Sequence, residues 1–250
     1  MSILVVEKLS KSFGGVQAVA GVSFSVAAGE MLAMIGPNGA GKTTCFNMVN
    51  GQLAPDSGTI EMEGRSLLGK APRDICRVGV GRTFQITATF GSMSVRENVR
   101  VALLSHARML GSLFSSVART FSNETHELLE QVGMREQADR QCALLAYGDL
   151  KRVELAMALA SRPRLLLMDE PTAGMASAER SELMQLTANL ARNAKIAVLF
   201  TEHDMDVVFQ HADRVIVLSE GALIAHGTPA EVRADARVRS VYLGQEAGHA

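Results

Sequence analysis

The stretch Gly36-Pro-Asn-Gly-Ala-Gly-Lys-Thr43, "GPNGAGKT", fits the pattern GxxxxGK[ST] in full. It stands between a short apolar run, "MLAMI" (31–35), and a segment that suits a helix and begins "KTTCFNMV" (42–49). Glycines let such a loop curl so that successive backbone N–H groups face phosphate oxygens, and the start of the helix adds its positive dipole. The sequence therefore predicts a phosphate-binding loop (P-loop) between a strand and a helix.

The pattern also assigns a role to individual residues of this loop. Lys42 is expected to reach the β- and γ-phosphates of a nucleotide, the Thr43 hydroxyl to bind Mg²⁺, and Thr44 to contact the α-phosphate. The competing interpretation is a glycine-rich turn with a chance Lys-Thr pair, and the flanking strand and helix argue against it. The predicted nucleotide-binding residues of the loop are Gly36, Asn38, Gly39, Ala40, Gly41, Lys42, Thr43 and Thr44.

Three later apolar runs resemble "MLAMI" in length: "RLLLM" (164–168), "IAVLF" (196–200) and "RVIVL" (214–218). Runs of this kind, bounded by turn residues, are typical of strands buried on both faces of a parallel sheet. Between the first two lies "SAERSELMQLTANLAR", in which leucines recur at helical spacing. The alternation of strands and helices predicts an α/β fold.

Two other regions have a different pattern. "ILVVEKLS", "VSFSV" and "TIEMEG" alternate apolar and polar residues and are separated by glycine turns, which predicts a small antiparallel sheet. Residues from about 89 to 160 hold helix-favouring runs such as "SVRENVRVALLSHARML" and "NETHELLEQVGM". We therefore expect one domain over residues 1–250, in which 1–88 and 161–250 form the core, about 89–160 form an inserted helical subdomain, and about 228–250 form a tail.

Polar residues follow two of the predicted buried strands. "LLLMDEP" ends in Asp169, which suits a Mg²⁺ ligand acting through water, and Glu170, which can orient and deprotonate a water that attacks the γ-phosphate. "FTEHD" places His203 after another strand, where it can hydrogen-bond the γ-phosphate and hold that water. Gln85, in "RTFQ", is either an amide that binds Mg²⁺ and water or a solvated glutamine, and spacing leaves both open.

The overall composition limits the function classes. The 25 basic and 26 acidic residues give a net charge of -1, which offers no strong field to attract nucleic acid. Cys45, Cys76 and Cys142 lack CxxC spacing, which indicates free thiols in a reducing cytoplasm. The N-terminus has no apolar signal-peptide core, and no run reaches the roughly 18 apolar residues of a membrane span. We expect a soluble protein that can still dock on a membrane partner.

The order "GPNGAGKTT", "TFQ", "LAYGDLKRVELAMAL", "LLLMDEPTAG", "TEHD" resembles the nucleotide-binding subunit of ATP-binding cassette (ABC) transporters over nearly the whole chain. The resemblance implies an ATP hydrolase with a P-loop core, an antiparallel β subdomain and an inserted helical subdomain. It makes Gln85 the Q-loop glutamine, Glu170 the catalytic carboxylate and His203 the switch histidine. Phe13, in "KSFGG", falls where the family stacks an aromatic ring on adenine; a core phenylalanine is the alternative.

"LAYGD" (145–149) corresponds to the signature that the family commonly writes LSGGQ. The resemblance implies that two subunits face head to tail, so that Ala146, Tyr147, Gly148 and Asp149 close on the ATP held by the other subunit. Ala146 lacks the usual serine hydroxyl, and Asp149 stands where glutamine is usual, either as a charge that repels the γ-phosphate or as a helix cap. The loop after Glu170 also lacks the aspartate of many family members.

A finer resemblance is to the ATPases of branched-chain amino acid importers, through "GRTFQ", "SVRENV", "LAYG" and the tail "GTPAEVRADARVRSVYLG". It implies ATP and Mg²⁺ as ligands, a second ABC ATPase, identical or distinct, two membrane permeases and a periplasmic binding protein. The cargo would be branched-chain or other hydrophobic amino acids or related small polar solutes, and the chain would lie at the cytoplasmic face of the inner membrane. "TFQITATFGSMSV" would contact a permease through Ile86 and Phe90, unless these pack in the subdomain core.

Two other function classes stay open. One is a non-transport cassette ATPase, with cluster assembly harder to exclude than DNA repair or translation. The other is a nucleotide-regulated binding module with weak hydrolysis, against which Asp169, Glu170 and His203 argue. No nucleic-acid partner is expected.

Overall fold

The core of the molecule is a six-stranded sheet with the order β10-β9-β3-β8-β7-β6. The computed structural model describes residues 1–83, 89–107 and 121–246, the last five by their backbone alone. The neighbours from β9 to β6 pair in parallel, and β10 pairs with β9 antiparallel. The strands are β3 (Met31–Ile35), β6 (Val80–Arg82), β7 (Leu165–Asp169), β8 (Ala197–Thr201), β9 (Arg214–Ser219) and β10 (Ala222–Gly227).

The central strands are buried on both faces, as their apolar runs predict. In β3, Met31, Ala33 and Ile35 belong to one hydrophobic core, and Leu32 and Met34 belong to the other. Because side chains of a strand point alternately to opposite faces, one short run contributes to both cores.

A second sheet of four antiparallel strands packs on one of these two cores, and its strand order is β2-β1-β4-β5. Its alternating sequence explains this placement, since Leu4, Val6 and Leu9 are buried while Glu7 and Lys8 are exposed. The predicted antiparallel sheet is confirmed. Its strands are β1 (Ser2–Phe13), β2 (Val16–Ala27), β4 (Ser57–Met62) and β5 (Arg65–Ser66).

Helices cover the parallel sheet and join its strands. The helix after the P-loop and the leucine-bearing helix between β7 and β8 both occur where the sequence predicts them. These core helices are α1 (Lys42–Val49), α2 (Pro72–Val78), α6 (Ser177–Ala194), α7 (Met205–His211), α8 (Pro229–Ala234) and α9 (Ala236–Glu246).

The described part of the 89–160 region is built of helices: α3 (Val95–His106), α4 (Ser122–Gln131) and α5 (Tyr147–Leu159), with a short 3-10 turn at Cys142–Leu144. Ser94 begins α3 with a reciprocal capping box to Glu97, which the motif "SVRE" encodes. These helices pack on one another and α5 also packs on α6. The division of the chain into subdomains stays a prediction. Among the described residues, no helix combines the length and the apolar character that a membrane span needs.

Candidate active site

The P-loop leaves the end of β3 and enters α1 through two glycines that the backbone requires. Gly36 and Gly41 have φ values of 151° and 99°. A Cβ on Gly36 would collide with the carbonyl oxygen of Leu218, and one on Gly41 with that of Ala18. The loop is thus pressed between β2 and the end of β9, with Asn38 and Gly39 exposed at its tip.

The start of α1 presents backbone donors at this loop. Gly41 is the N-cap and brings no side-chain hydrogen bond, so the first N–H groups of the helix have no intrahelical acceptor. The carbonyl of Ala40 points the other way and accepts from the N–H of Gly221 at 3.2 Å. Thr43 is exposed and Thr44 is half-buried in the first turn. Such an end binds anions.

Lys42 lies across the loop that precedes it. Its Nζ donates to the carbonyl oxygens of Gly36 at 2.6 Å and Pro37 at 3.0 Å. Burial lowers the pKa of Lys42, while the nearby negative charges of Glu170 and Asp169 act in the opposite direction. The loop, the lysine and the two carboxylates therefore share one electrostatic environment.

Asp169 ends β7 and Glu170 follows it, and the neighbouring strand fixes both residues. Thr201, at the end of β8, donates its hydroxyl to Asp169 Oδ1 at 2.7 Å and accepts the N–H of Glu170 at 3.0 Å. Arg82, at the end of β6, lies 3.6 Å from Asp169 Oδ2. Glu170 has a φ of 49°, a left-handed conformation that non-glycine residues rarely adopt and that costs about 1–3 kcal/mol. Strain of this kind is common at active sites.

His203 meets Glu170 across the gap between the ends of β7 and β8. The distance from His203 Nε2 to Glu170 Oε1 is 2.9 Å. The histidine side chain is 47% exposed and that of Glu170 is 25% exposed, so both can reach a molecule that arrives from solvent. The structure therefore brings together Lys42 of the P-loop motif and the residues Asp169, Glu170 and His203 at the ends of two strands.

Sequence reasoning missed Thr201 and Glu202. Glu202 is 4% exposed and accepts hydrogen bonds from the backbone and hydroxyl of Thr172. Both residues stand in the quoted motif "FTEHD", and a polar pair after a buried strand is the signal that could have indicated them. Their partners are about thirty positions away in the chain, so only the fold reveals the contacts.

The signature segment begins α5. Ala146 is the N-cap and provides no side-chain hydrogen bond. Asp149 lies in the first helical turn, as expected, at the third position of α5 rather than at the N-cap itself. Tyr147 is 39% exposed and lies against Gly174 in the loop after Glu170, and buried Gly148 lies against the Glu179 carboxylate. These two contacts connect the segment to the loop after β7 and to the first turn of α6.

The remaining predicted residues are less constrained. Phe13, at the end of β1, is 49% exposed, and Lys11 Nζ lies 5.7 Å from the centre of its ring. It is not a core phenylalanine. Phe90 is 52% exposed. Gln85 and Ile86 lie outside the described residues.

The residues present fit a Mg²⁺ ion that a nucleotide would share. Thr43 and Asp169 offer a hydroxyl and a carboxylate oxygen, the hard ligands that Mg²⁺ prefers. The described residues hold no group of three or more His, Cys, Asp or Glu side chains able to form a cage. Mg²⁺ characteristically binds through one or two protein oxygens together with phosphates and water, which suits this sparse set.

Comparison with known proteins adds the family. A family model described as "ABC transporter" matches residues 19–173, and one described as "Branched-chain amino acid ATP-binding cassette transporter" matches residues 222–248. The chain is 40% identical over 252 residues to the high-affinity branched-chain amino acid transport ATP-binding protein LivG of Salmonella typhimurium, covering 97% of this chain and 98% of LivG. It is also 40% identical to BraF of Pseudomonas aeruginosa, a protein of the same description, with the same coverage.

Solved structures agree with the sequence relatives. The ADP conformation of an ATP-binding cassette of an ABC transporter superposes with a TM-score of 0.85 at 30% identity, covering 98% of this chain and 99% of that one. The likeness extends over both sheets and the helical region.

Proposed function

This chain belongs to the ABC transporter family of ATPases, and from that premise we propose that it energises an importer of branched-chain or other hydrophobic amino acids. The observation that carries the ATPase role is the meeting of Lys42, at the start of α1, with Glu170 and His203 just beyond the ends of β7 and β8. Two such strand ends hold a paired acid and histidine 2.9 Å apart beside the phosphate loop.

In the proposed reaction, the N–H groups at the start of α1 and the ammonium of Lys42 hold the nucleotide phosphates. Glu170 accepts the proton of the attacking water, and His203 fixes the carboxylate and the γ-phosphate relative to each other. Thr43 and Asp169 would hold Mg²⁺, which supplies charge neutralisation at the phosphates. Phe13 presents an exposed ring for adenine, and Gln85 is proposed as a further Mg²⁺ and water contact.

The second half of the site is proposed to come from a partner cassette. Tyr147 and Leu144 are exposed, and the N-terminus of α5 offers donors and a positive dipole to a phosphate. Head-to-tail pairing would place Ala146, Tyr147, Gly148 and Asp149 on the ATP of the other subunit. Pairing would also exclude water from a site that is open in one chain.

The cargo and the membrane partners are inferred from relatives. LivG and BraF are named for branched-chain amino acid transport, and the tail match carries the same description. These relatives favour transport over cluster assembly. We propose that two permeases, fed by a periplasmic binding protein, hold the chain at the cytoplasmic face of the inner membrane. The exposed ring of Phe90 supports a docking surface in this region, and a cavity of about 420 Å³ between α2, α3 and α5 is a second candidate surface.

Glu170→Gln tests the proposed reaction. It should reduce ATP hydrolysis by on the order of 100-fold or more, because no carboxylate remains to accept the proton, while binding of a fluorescent ATP analogue is retained. Lys42→Ala is the comparison variant and should lose nucleotide binding itself. Hydrolysis by Glu170→Gln at the normal rate would contradict the proposed role. Absence of permease subunits from the complex that copurifies with this chain from membranes would contradict the importer assignment.

A further inference from the structure

Glu202 is a buried carboxylate next to the switch histidine. It directly follows β8 and directly precedes His203, and only 4% of its surface is exposed. In the part of the chain that the structure describes, it takes part in no ion pair with a lysine or arginine. Its charge must therefore be balanced by hydrogen-bond donors.

Three donors converge on this carboxylate. Glu202 Oε1 accepts the backbone N–H of Thr172 at 3.0 Å and its hydroxyl at 2.5 Å. Glu202 Oε2 accepts the backbone N–H of His203 at 3.1 Å. Thr172 is itself buried, at 2% exposure, so water does not compete for these bonds.

These bonds close a ring through the reacting pair. Thr172 stands two residues after Glu170, which is held in a left-handed conformation. His203 Nε2 lies 2.9 Å from Glu170 Oε1. Glu202 thus connects the turn that carries Glu170 to the backbone that carries His203.

We propose that Glu202 is a positioning residue that sets the relative placement of Glu170 and His203 for ATP hydrolysis. The proposal rests on the proposed ATPase function and adds a residue to it. Glu202 is buried and acts through the Glu170–Thr172 turn and the His203 backbone. Displacement of a catalytic group by about 1 Å can cost on the order of 100-fold in rate, so a link of this kind affects turnover more than binding.

The donor set demands a carboxylate. An ionised carboxylate is acceptor-only, whereas the amide of glutamine has a single acceptor oxygen and an NH₂ group that donates. Glu202→Gln keeps the shape but cannot accept from both Thr172 and His203. At least one of the three bonds is lost, and an amide N–H faces another donor.

The first experiment compares Glu202→Gln with Glu61→Gln, an exposed carboxylate on β4, in the full-length chain at high protein concentration. Glu202→Gln should lower kcat by about 10-fold or more with little change in the KM for ATP, while Glu61→Gln should match the parent. Circular dichroism at the assay temperature verifies that both are folded. A folded Glu202→Gln with parental kcat would overturn the proposal.

The second experiment uses the other end of the link and decides the matter if Glu202→Gln does not fold. Thr172→Val removes the hydroxyl donor and should lower kcat, and Thr172→Ser, which keeps the hydroxyl, should restore it. With Glu202→Gln folded, the double variant should be no slower than the slower single variant, because both break one link. Equal kcat values for Thr172→Val and Thr172→Ser would overturn the proposal. So would a double variant whose loss of kcat is the product of the two single losses. Glu170→Gln distinguishes failure of this proposal from failure of the proposed ATPase function. Normal hydrolysis by Glu170→Gln would contradict the ATPase function itself.

Discussion

Asp149 holds the third position of α5, within its first turn. The helix dipole is positive at that end, and an acidic side chain there stabilises a helix by about 0.3–1 kcal/mol. The same turn is the one that we propose to meet the γ-phosphate of the other subunit's ATP. One carboxylate therefore stabilises its own helix while it repels the ligand that the helix start attracts.

We expect Asp149→Gln to raise the ATPase rate of the paired protein and to lower its unfolding free energy by about 0.3–1 kcal/mol. Both effects follow from removal of one negative charge. Steady-state hydrolysis and thermal unfolding measure them. Asp74→Asn changes an acidic residue in the first turn of α2 and should alter stability alone. An unchanged rate in Asp149→Gln would leave the carboxylate with its helical role only.

Sequence reasoning identifies site residues that belong to a local motif. It does not identify residues whose role depends on partners that are distant in the chain. Lys42, Asp169, Glu170 and His203 each follow a recognisable apolar strand, so their meeting could be expected from parallel-sheet geometry. Glu202 could not, because its donors on Thr172 are thirty positions away. The first-turn position of Asp149 could be expected from its charge, whereas the N-cap at Ala146 has no capping side chain that a sequence pattern could reveal.

Helix α7 carries the chain away from His203 and ends in a buried histidine. His211 is 4% exposed, and its Nε2 lies 3.4 Å from the Ser181 hydroxyl of α6. Burial, and then the positive charge of Arg192, lower the pKa of His211 below its ordinary 6.5. The packing of α7 on α6 thus favours a neutral imidazole.

This shift makes stability depend on pH in one direction. As pH falls through about 6.5, the unfolded chain binds a proton at His211 before the folded chain does, so the unfolding free energy decreases. The contribution is fully present above that pH and is lost toward the folded pKa. Urea unfolding from about pH 7.5 to about pH 5.5 should show a shallower decline in His211→Gln than in the parent. Parallel slopes in the two proteins would contradict the assignment.

The order of elements in the whole molecule was predictable because each motif fixes a strand end or a helix start. The packing of these elements against one another was not predictable. Gly36 and Gly41 are pressed against carbonyls of β9 and β2, and Tyr147 is placed against Gly174, by packing that no local pattern encodes. One consequence is that the loop after β7 contacts the signature segment of the same chain. The proposed catalytic residues and the proposed partner-facing segment are therefore connected by direct packing.

Ala146 allows the proposed pairing to be tested separately from folding. It is an N-cap without a capping side chain, so either serine or aspartate there should stabilise α5 by about 0.5–2 kcal/mol. Only aspartate also brings a negative charge to the phosphate that the partner is proposed to hold. In a Glu170→Gln background, which keeps ATP from turnover, Ala146→Ser should elute as an ATP-dependent dimer in size-exclusion chromatography with light scattering. Ala146→Asp should have a similarly raised melting temperature but stay monomeric with ATP. If Ala146→Asp forms a dimer as tight as that of Ala146→Ser, head-to-tail contact through α5 is refuted.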